Sequence, residues 1–159
     1  MLKTTMSGAF AVAFLAMATP AAAENVTADL DLIAKVLQEE GMQAKIEGDE
    51  GKKYILSGLS GYTFQILPYG CNDAGADCKW VQFRAAFTPE KKPSLKDINQ
   101  FAAENFFGRF YIDHEEDPII EMDIDLEVGG MSRELFIDNI AYWDSIMVKY
   151  ADFVFSNDE

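Results

Sequence analysis

Apolar residues recur every three to four positions in three segments of the chain, which is the spacing of helices that bury one face. The first helix is predicted to start after Thr27 as its N-cap and to end at Gly41. The second starts at Pro93-Ser94, where Asp97 is placed to complete a capping box. The third starts after Ser132 and carries a wide apolar stripe, formed by Phe136, Ile140, Trp143, Met147, Tyr150 and Val154.

Between these helices the pattern changes to short runs rich in β-branched and aromatic residues, which predicts strands. Four runs follow the first helix, and the glycine-containing turns between the first three favour antiparallel hairpins and a meander. The runs are residues 44–47, 53–57, 62–67, 79–87, 108–113 and 119–128. We therefore predict an α+β fold in the order α-β-β-β-β-α-β-β-α, with three helices and an antiparallel sheet of about five to six strands.

The N-terminal segment has the pattern of a secretory signal peptide, with a short positive start, an apolar run over residues 8–17 and three alanines before Glu24. The apolar run has about ten residues, whereas a membrane-spanning helix needs about 20. We predict a signal peptide over residues 1–23 and a single domain over residues 24–159. No membrane span is expected after cleavage, because no later stretch is apolar enough.

The chain is strongly acidic, with 27 Asp and Glu residues against 13 Lys and Arg residues and a formal net charge of −14. This charge repels nucleic acid, so nucleic acid is excluded as a partner. It favours solubility and association with basic partners or cations, although an acidic surface in contact with water is the preferred explanation. Charge alone identifies no ligand.

Cys71 and Cys78 are the two cysteines of the chain, and six residues separate them. That spacing suits neither a redox CxxC motif nor a four-ligand zinc site. In an exported protein it predicts a structural disulfide, worth about 2.5 kcal/mol in the chain-entropy model. The expected location is the periplasm or the cell exterior.

The most ordered pattern in the chain is the strict alternation of acidic and apolar residues from Glu121 to Val128. In an extended strand, alternate side chains point to opposite faces of the sheet. The residues predicted to face the core are Met122, Ile124, Leu126 and Val128. The residues predicted to line the other face are Glu121, Asp123, Asp125 and Glu127.

The preceding strand is expected to offset the repulsion between these carboxylates. If its apolar residues also face the core, Arg109 and Tyr111 lie on the acidic face. Pairing Phe110 with Met122 would set Arg109 opposite Asp123 and Tyr111 opposite Glu121. These two residues and the four carboxylates form the predicted interaction face.

Two interpretations of this face stay open. It is either a hydrated sheet face with one cross-strand salt bridge, or a surface that docks a basic partner or a divalent cation. The pattern Asp123-x-Asp125-x-Glu127 superficially resembles a calcium loop, but such loops require a sharp turn, whereas this stretch alternates like a strand. We therefore predict no metal ligands and no cofactor.

Catalytic motifs are weak in this sequence. His114 is the single histidine, and the acidic residues around it belong to a predicted turn at residues 114–118. The sequence contains no nucleophile elbow, phosphate loop or HExxH motif. We predict a protein that is not an enzyme, and an envelope hydrolase using His114 or a pair of carboxylates stays as a lower alternative.

Several segments together resemble the YbjN family of bacterial proteins. They are Cys71 with Cys78, the strand at residues 81–85, the helix start at residues 93–95, residues 107–111, and residues 117–126 with the Gly-Gly and the helix bearing Phe136, Asn139 and Trp143. The resemblance covers about Thr27 to Phe155. It implies an α+β domain similar to type III secretion chaperones, in a family described as candidate regulators of sensory transduction, and it brings no catalytic residues.

The resemblance and the absence of catalytic motifs predict a periplasmic protein that binds another protein or forms a homodimer. The binding surface would be either the aromatic final helix or the acidic sheet face. A binder of small ligands or divalent cations is the first alternative. The signal peptide and the cysteine pair distinguish this chain from cytoplasmic members of the family, so a cytoplasmic regulatory role is not expected here.

Overall fold

The computed structural model describes residues 25–49 and 51–156, and the predicted signal peptide lies outside these residues. The described part of the chain forms three helices and six strands in the predicted order, which confirms the α+β class. The elements are α1 Leu30–Glu39, β1 Gln43–Glu47, β2 Tyr54–Leu59, β3 Tyr62–Tyr69, β4 Trp80–Ala86, α2 Leu95–Glu104, β5 Arg109–Ile112, β6 Pro118–Asp125 and α3 Arg133–Phe155.

The helix starts are set by side chains that accept backbone N–H groups. Ser94 and Asp97 form the predicted capping box on α2, and the Ser132 hydroxyl accepts the Leu135 N–H at 3.2 Å, so both predictions are confirmed. The cap predicted for α1 is wrong. Asp29 rather than Thr27 occupies that position, with its Oδ1 accepting the Leu32 N–H at 3.0 Å.

The six strands form one antiparallel sheet in the order β1-β2-β3-β4-β6-β5. The first four strands make the predicted meander. The chain then crosses through α2 to the sheet edge as β5 and returns as β6, which lies between β4 and β5. Pro68, one residue beyond the predicted run 62–67, lies within β3, where the pairing with β2 has already ended at Ile66, so its missing N–H costs no hydrogen bond to β2.

The helices cover one face of the sheet and form the core with it. Trp143 of α3 is fully buried, with its ring centroid 5.6 Å from that of Phe64 and 5.7 Å from that of Phe83. The other residues of the α3 aromatic stripe are buried on this face as well. We call the opposite face, which carries the alternate residues of the same strands, the open face. Within residues 25–49 and 51–156, no helix is long and apolar enough to cross a membrane.

Candidate functional site

Polar and aromatic side chains collect on the open face where β3, β4, β6 and β5 lie side by side. The alternation of each strand places them there, because their neighbours along the strand point into the core. Val81, Phe83 and Ala85 of β4 are buried in the core, for example. We call the group the open-face cluster; it consists of Tyr69, Trp80, Gln82, Arg84, Arg109, Tyr111, Glu121, Asp123 and Asp125.

Glu121 is the buried centre of the open-face cluster, with 5% of its surface exposed. Its Oε1 accepts the Tyr111 hydroxyl at 2.8 Å and lies 3.4 Å from Nε of Arg84. Its Oε2 accepts two hydrogen bonds from the Arg109 guanidinium, one from Nε at 2.9 Å and one from Nη2. Two guanidinium groups and a hydroxyl therefore compensate a carboxylate that would otherwise be costly to bury.

These contacts also shift the pKa values of the donors. The hydrogen bond to Glu121 raises the pKa of Arg109. Burial raises the pKa of Tyr111, and its hydrogen bond to Glu121 acts in the same direction. Both groups are therefore held in their protonated, hydrogen-donating forms, which makes them structural donors rather than proton acceptors.

Arg84 connects the open-face cluster to the turn between β5 and β6. Its Nη2 lies 3.6 Å from Oδ2 of Asp113. Oδ1 of Asp113 accepts the N–H of Glu115 at 2.9 Å and that of Asp117 at 3.0 Å. The backbone hydrogen bond from Asp117 is the largest cause that lowers the pKa of Asp113. The turn is thus tied to the sheet through an ionised carboxylate.

An aromatic pair borders the charged part of the cluster. Tyr69 and Trp80 lie directly opposite each other on β3 and β4, with ring planes 7° apart and centroids separated by 6.3 Å. Their exposed fractions are 39% and 38%, so both rings keep surface available to a binding partner. The Tyr69 hydroxyl donates to Oε1 of Gln82 at 3.4 Å, and Nε2 of Gln82 donates to Oδ1 of Asp123 at 2.8 Å.

The aromatic pair and the charged residues share a shallow, open pocket of ≈ 430 Å³. Its floor is polar and already hydrogen-bonded, because Gln82 and Glu121 are both buried and both have partners. Its rim is aromatic on one side and charged on the other. The full lining is Tyr69, Trp80, Gln82, Arg109, Tyr111, Glu121 and Asp123.

The register predicted between β5 and β6 is wrong by two residues. Phe110 pairs with Ile120 rather than Met122, so Arg109 lies opposite Glu121 rather than Asp123. The side chain of Arg109 still reaches Asp123, with Nη1 at 3.5 Å from Oδ2. The structure therefore brings Arg109, Tyr111, Glu121 and Asp123 together, with Glu121 at their centre.

The end of the acidic strand also differs from the prediction. β6 stops at Asp125, whose Oδ1 accepts the Glu127 N–H at 3.0 Å at the start of a turn. Glu127 therefore lies beyond the strand and pairs with Lys79 at 2.7 Å. Val128, predicted to face the core, is 92% exposed. The alternation in the sequence continues past the residue at which the strand ends.

Sequence reasoning missed four members of the cluster, namely Tyr69, Trp80, Gln82 and Arg84. The signal for two of them was present, because the alternation of β4 already separates Gln82 and Arg84 from the core residues. What was missing was the position of β6 beside β4. That neighbour relation sets Gln82 opposite Asp123 and Arg84 opposite Glu121.

The remaining candidates are not members of the cluster. A disulfide joins Cys71 and Cys78 and closes the loop between β3 and β4, next to the aromatic pair. His114 is exposed on the turn between β5 and β6. Among the residues that the structure describes, no three His, Cys, Asp or Glu side chains are grouped in a way that could hold a metal ion.

Comparisons with known proteins complete the description of the site. The family model YbjN, described as "Putative bacterial sensory transduction regulator", matches residues 29–156. A solved structure of an uncharacterized protein from Methanothermobacter thermautotrophicus is similar, with 18% sequence identity, a TM-score of 0.47, and coverage of 76% of this chain and 94% of that chain. The curated proteins contain no match to this chain.

Proposed function

The chain belongs to the YbjN family, and we propose that it is a non-enzymatic module that binds a partner protein through its open face. The observation that carries the proposal is the half-exposed Tyr69–Trp80 pair beside the guanidinium of Arg109. Trp, Tyr and Arg are the residue types that dominate the binding energy of protein interfaces. An interface centred on them would gain affinity from the rings and orientation from the surrounding polar groups.

The open face is a better candidate than the final helix, which the sequence suggested as the other possible surface. The aromatic stripe of α3 is packed in the core, where Phe136, Trp143 and Tyr150 are fully buried. A residue that already fills the core cannot also contact a partner. The aromatic side chains of the cluster are paired with each other and keep part of their surface exposed.

A binding role also fits the chemistry of the cluster better than a catalytic role. A general base needs a free acceptor near a substrate, whereas Glu121 is engaged by Arg84, Arg109 and Tyr111. Breaking those contacts to accept a proton would remove the carboxylate that the two guanidinium groups share. His114 lies on an exposed turn and therefore lacks the cleft that a hydrolase would require.

We further propose that the protein works in the periplasm or outside the cell. The disulfide between Cys71 and Cys78 supports this location, because such bonds persist in oxidising compartments. Alkylation of protein taken directly from fractionated cells tests it. We expect the envelope or extracellular fraction to contain a chain that starts after residue 23 and resists alkylation; a reduced chain in the cytoplasmic fraction would contradict the location.

Site-specific photocrosslinking tests the proposed binding face. A photoreactive phenylalanine at Gln65, which lies opposite Arg84 on the open face, should yield an adduct in intact cells. The matched control is Ser145, which is exposed on the outer surface of α3 and should yield none. An adduct of twice the monomer mass would identify the partner as a second copy of the chain. Equal crosslinking from both positions, or adducts from Ser145 alone, would contradict the proposal.

A further inference from the structure

We propose that the pocket beside Tyr69 and Trp80 receives a lysine or arginine side chain of the partner protein. This inference rests on the proposed function and adds the chemical identity of the group that is bound. It follows from three features of the pocket: exposed aromatic surface, exposed carboxylates on the adjacent strand, and a buried carboxylate whose charge is already compensated.

The exposed rings supply the first feature. The face of an indole or phenol ring attracts a cation placed within about 6 Å of its centroid. The alkyl stem of lysine or arginine can also lie along the ring, which removes apolar surface from water. Trp80 and Tyr69 are stacked with nearly parallel planes, and each keeps more than a third of its surface exposed.

The exposed carboxylates supply the second feature. Asp125 lies directly opposite Trp80 on the neighbouring strand, and residues in this position on one face of a sheet are in contact distance. Asp123, with 48% of its side chain exposed, follows on the same strand and lines the pocket. A cation above Trp80 would therefore meet ring surface and carboxylate oxygens together.

Charge compensation within the cluster supplies the third feature. Arg109 and Arg84 both lie within ion-pair distance of the buried Glu121, and their two positive charges stand against the four carboxylates of Glu121, Asp113, Asp123 and Asp125. Asp123 accepts a hydrogen bond from the neutral Gln82 amide at 2.8 Å and lies 3.5 Å from Arg109, and Asp125 extends the acidic rim beyond it. The outer part of the pocket thus keeps a negative potential, and the net charge of −14 on the chain steers basic partners toward it.

The direct test is NMR titration of the full mature chain with defined probes. The cationic probe is a blocked glycine-serine peptide containing one lysine and one arginine, and the matched probe has glutamine at both positions. We expect the cationic peptide to shift the indole N–H of Trp80 and the side-chain amide of Gln82, while the indole N–H of the buried Trp143 stays unchanged. Equal shifts with the glutamine peptide, or with the neutral sugar chitotriose, would overturn the inference.

Two variants identify the groups responsible. Trp80→Leu keeps an apolar side chain but removes the ring, and it should weaken binding of the cationic peptide about threefold. Asp123→Asn with Asp125→Asn should weaken it about tenfold, since the double variant removes two exposed carboxylates that would pair with the cation. The matched control is Asp138→Asn with Asp152→Asn, which makes the same charge change on exposed positions of α3 and should leave binding unchanged. Equal weakening of peptide binding by both double variants would show that the net charge of the chain alone determines binding. That result would overturn the proposal of a specific pocket.

The outcomes separate this inference from the proposed function. If photocrosslinking from Gln65 persisted at full strength in the Asp123→Asn, Asp125→Asn variant, the cationic side chain would be excluded and the binding face would stand. Loss of crosslinking from Gln65 in the wild type would remove the binding face itself. Shifts caused by spermidine but not by the cationic peptide would overturn the assignment to a protein side chain.

Discussion

The two faces of the sheet are built from the same strands but are held together in different ways. On the covered face, β4 contributes Phe83, which packs against Trp143 and Phe64 in an apolar core. On the open face, the same strand contributes Gln82 and Arg84, which bind the carboxylates of β6. Apolar packing is non-directional, whereas the hydrogen bonds of the open face fix side-chain orientation. The comparison teaches that the covered face supplies most of the stability and that the open face supplies a preorganised surface.

The largest expected loss of stability comes from a substitution on the covered face. Trp143→Ala removes a fully buried ring and leaves a cavity, so the free energy of unfolding should fall by about 3–5 kcal/mol. Urea denaturation followed by circular dichroism measures the loss. Trp143→Phe is the control, since it keeps a ring in the core and removes an indole N–H that has no hydrogen-bond partner. A loss below about 1 kcal/mol for the alanine variant would contradict the role given to this face.

The next largest loss of stability is expected on the open face, from a substitution at Glu121. Glu121→Gln removes the charge that Arg84 and Arg109 share, and removal of one partner of a buried pair costs about 3–5 kcal/mol. Solvent reaches Arg109, whose side chain is more than half exposed, so we expect a smaller loss of about 2 kcal/mol. Asp125→Asn, on the exposed part of the same strand, is the control and should stay within about 0.5 kcal/mol of the wild type. Equal losses in the two variants would show that burial of Glu121 does not matter.

The sequence predicted the covered face better than the open face, and the reason is physical. Apolar periodicity is read within one strand or helix, so the core residues of β4, β6 and α3 follow from local patterns. The open-face cluster depends on which strands are neighbours and in which register. Nothing in the local pattern places β6 between β4 and β5 or pairs Arg109 with Glu121. A shift of two residues keeps every side chain on its face, so the alternation could not reveal the register error.

The end of β6 illustrates a second limit. The acidic and apolar alternation continues to Val128, but the strand ends at Asp125, and the side chain of Asp125 accepts the Glu127 N–H in the turn that follows. An aspartate that bonds to the backbone two residues later favours a turn over an extended strand. The sequence contains this turn-forming residue at a position where the alternation also allows a strand. The hydrogen bond, visible in the structure, decides between the two.

A smaller loss of stability is expected from a substitution at Gly70, next to the aromatic pair of the open face. Gly70 has φ +65°, and a Cβ added there would lie 2.4 Å from Cζ3 of Trp80. Gly70→Ala should therefore destabilise the chain by about 1–2 kcal/mol through its backbone and should also displace the Trp80 ring. Gly129→Ala is the matched control, because φ is +74° there and nothing lies within 4 Å of the added Cβ.

Trp80 fluorescence separates the two consequences. In a Trp143→Phe background, the emission and the quenching of Trp80 by caesium should change in Gly70→Ala but not in Gly129→Ala. Binding of the cationic peptide should weaken only in the first variant. An unchanged Trp80 signal in Gly70→Ala would contradict the close packing of the ring on Gly70 and the preorganisation argued from it.

The smallest effect concerns Asp113, which ties the β5–β6 turn to the open face through Arg84. The pKa of Asp113 is lowered in the folded chain by its backbone hydrogen bonds, so its contribution to stability is present above the unfolded pKa and is lost as pH falls through the folded pKa. Asp113→Ala should therefore lower Tm at neutral pH, and the difference from the wild type should close in acid. Asp113→Asn keeps an acceptor oxygen for the Glu115 and Asp117 N–H groups and should lose less. A Tm difference that stayed constant with pH would mean that the turn does not depend on an ionised Asp113. The ion pair between Arg84 and Asp113 would then not stabilise the link between the open face and the β5–β6 turn.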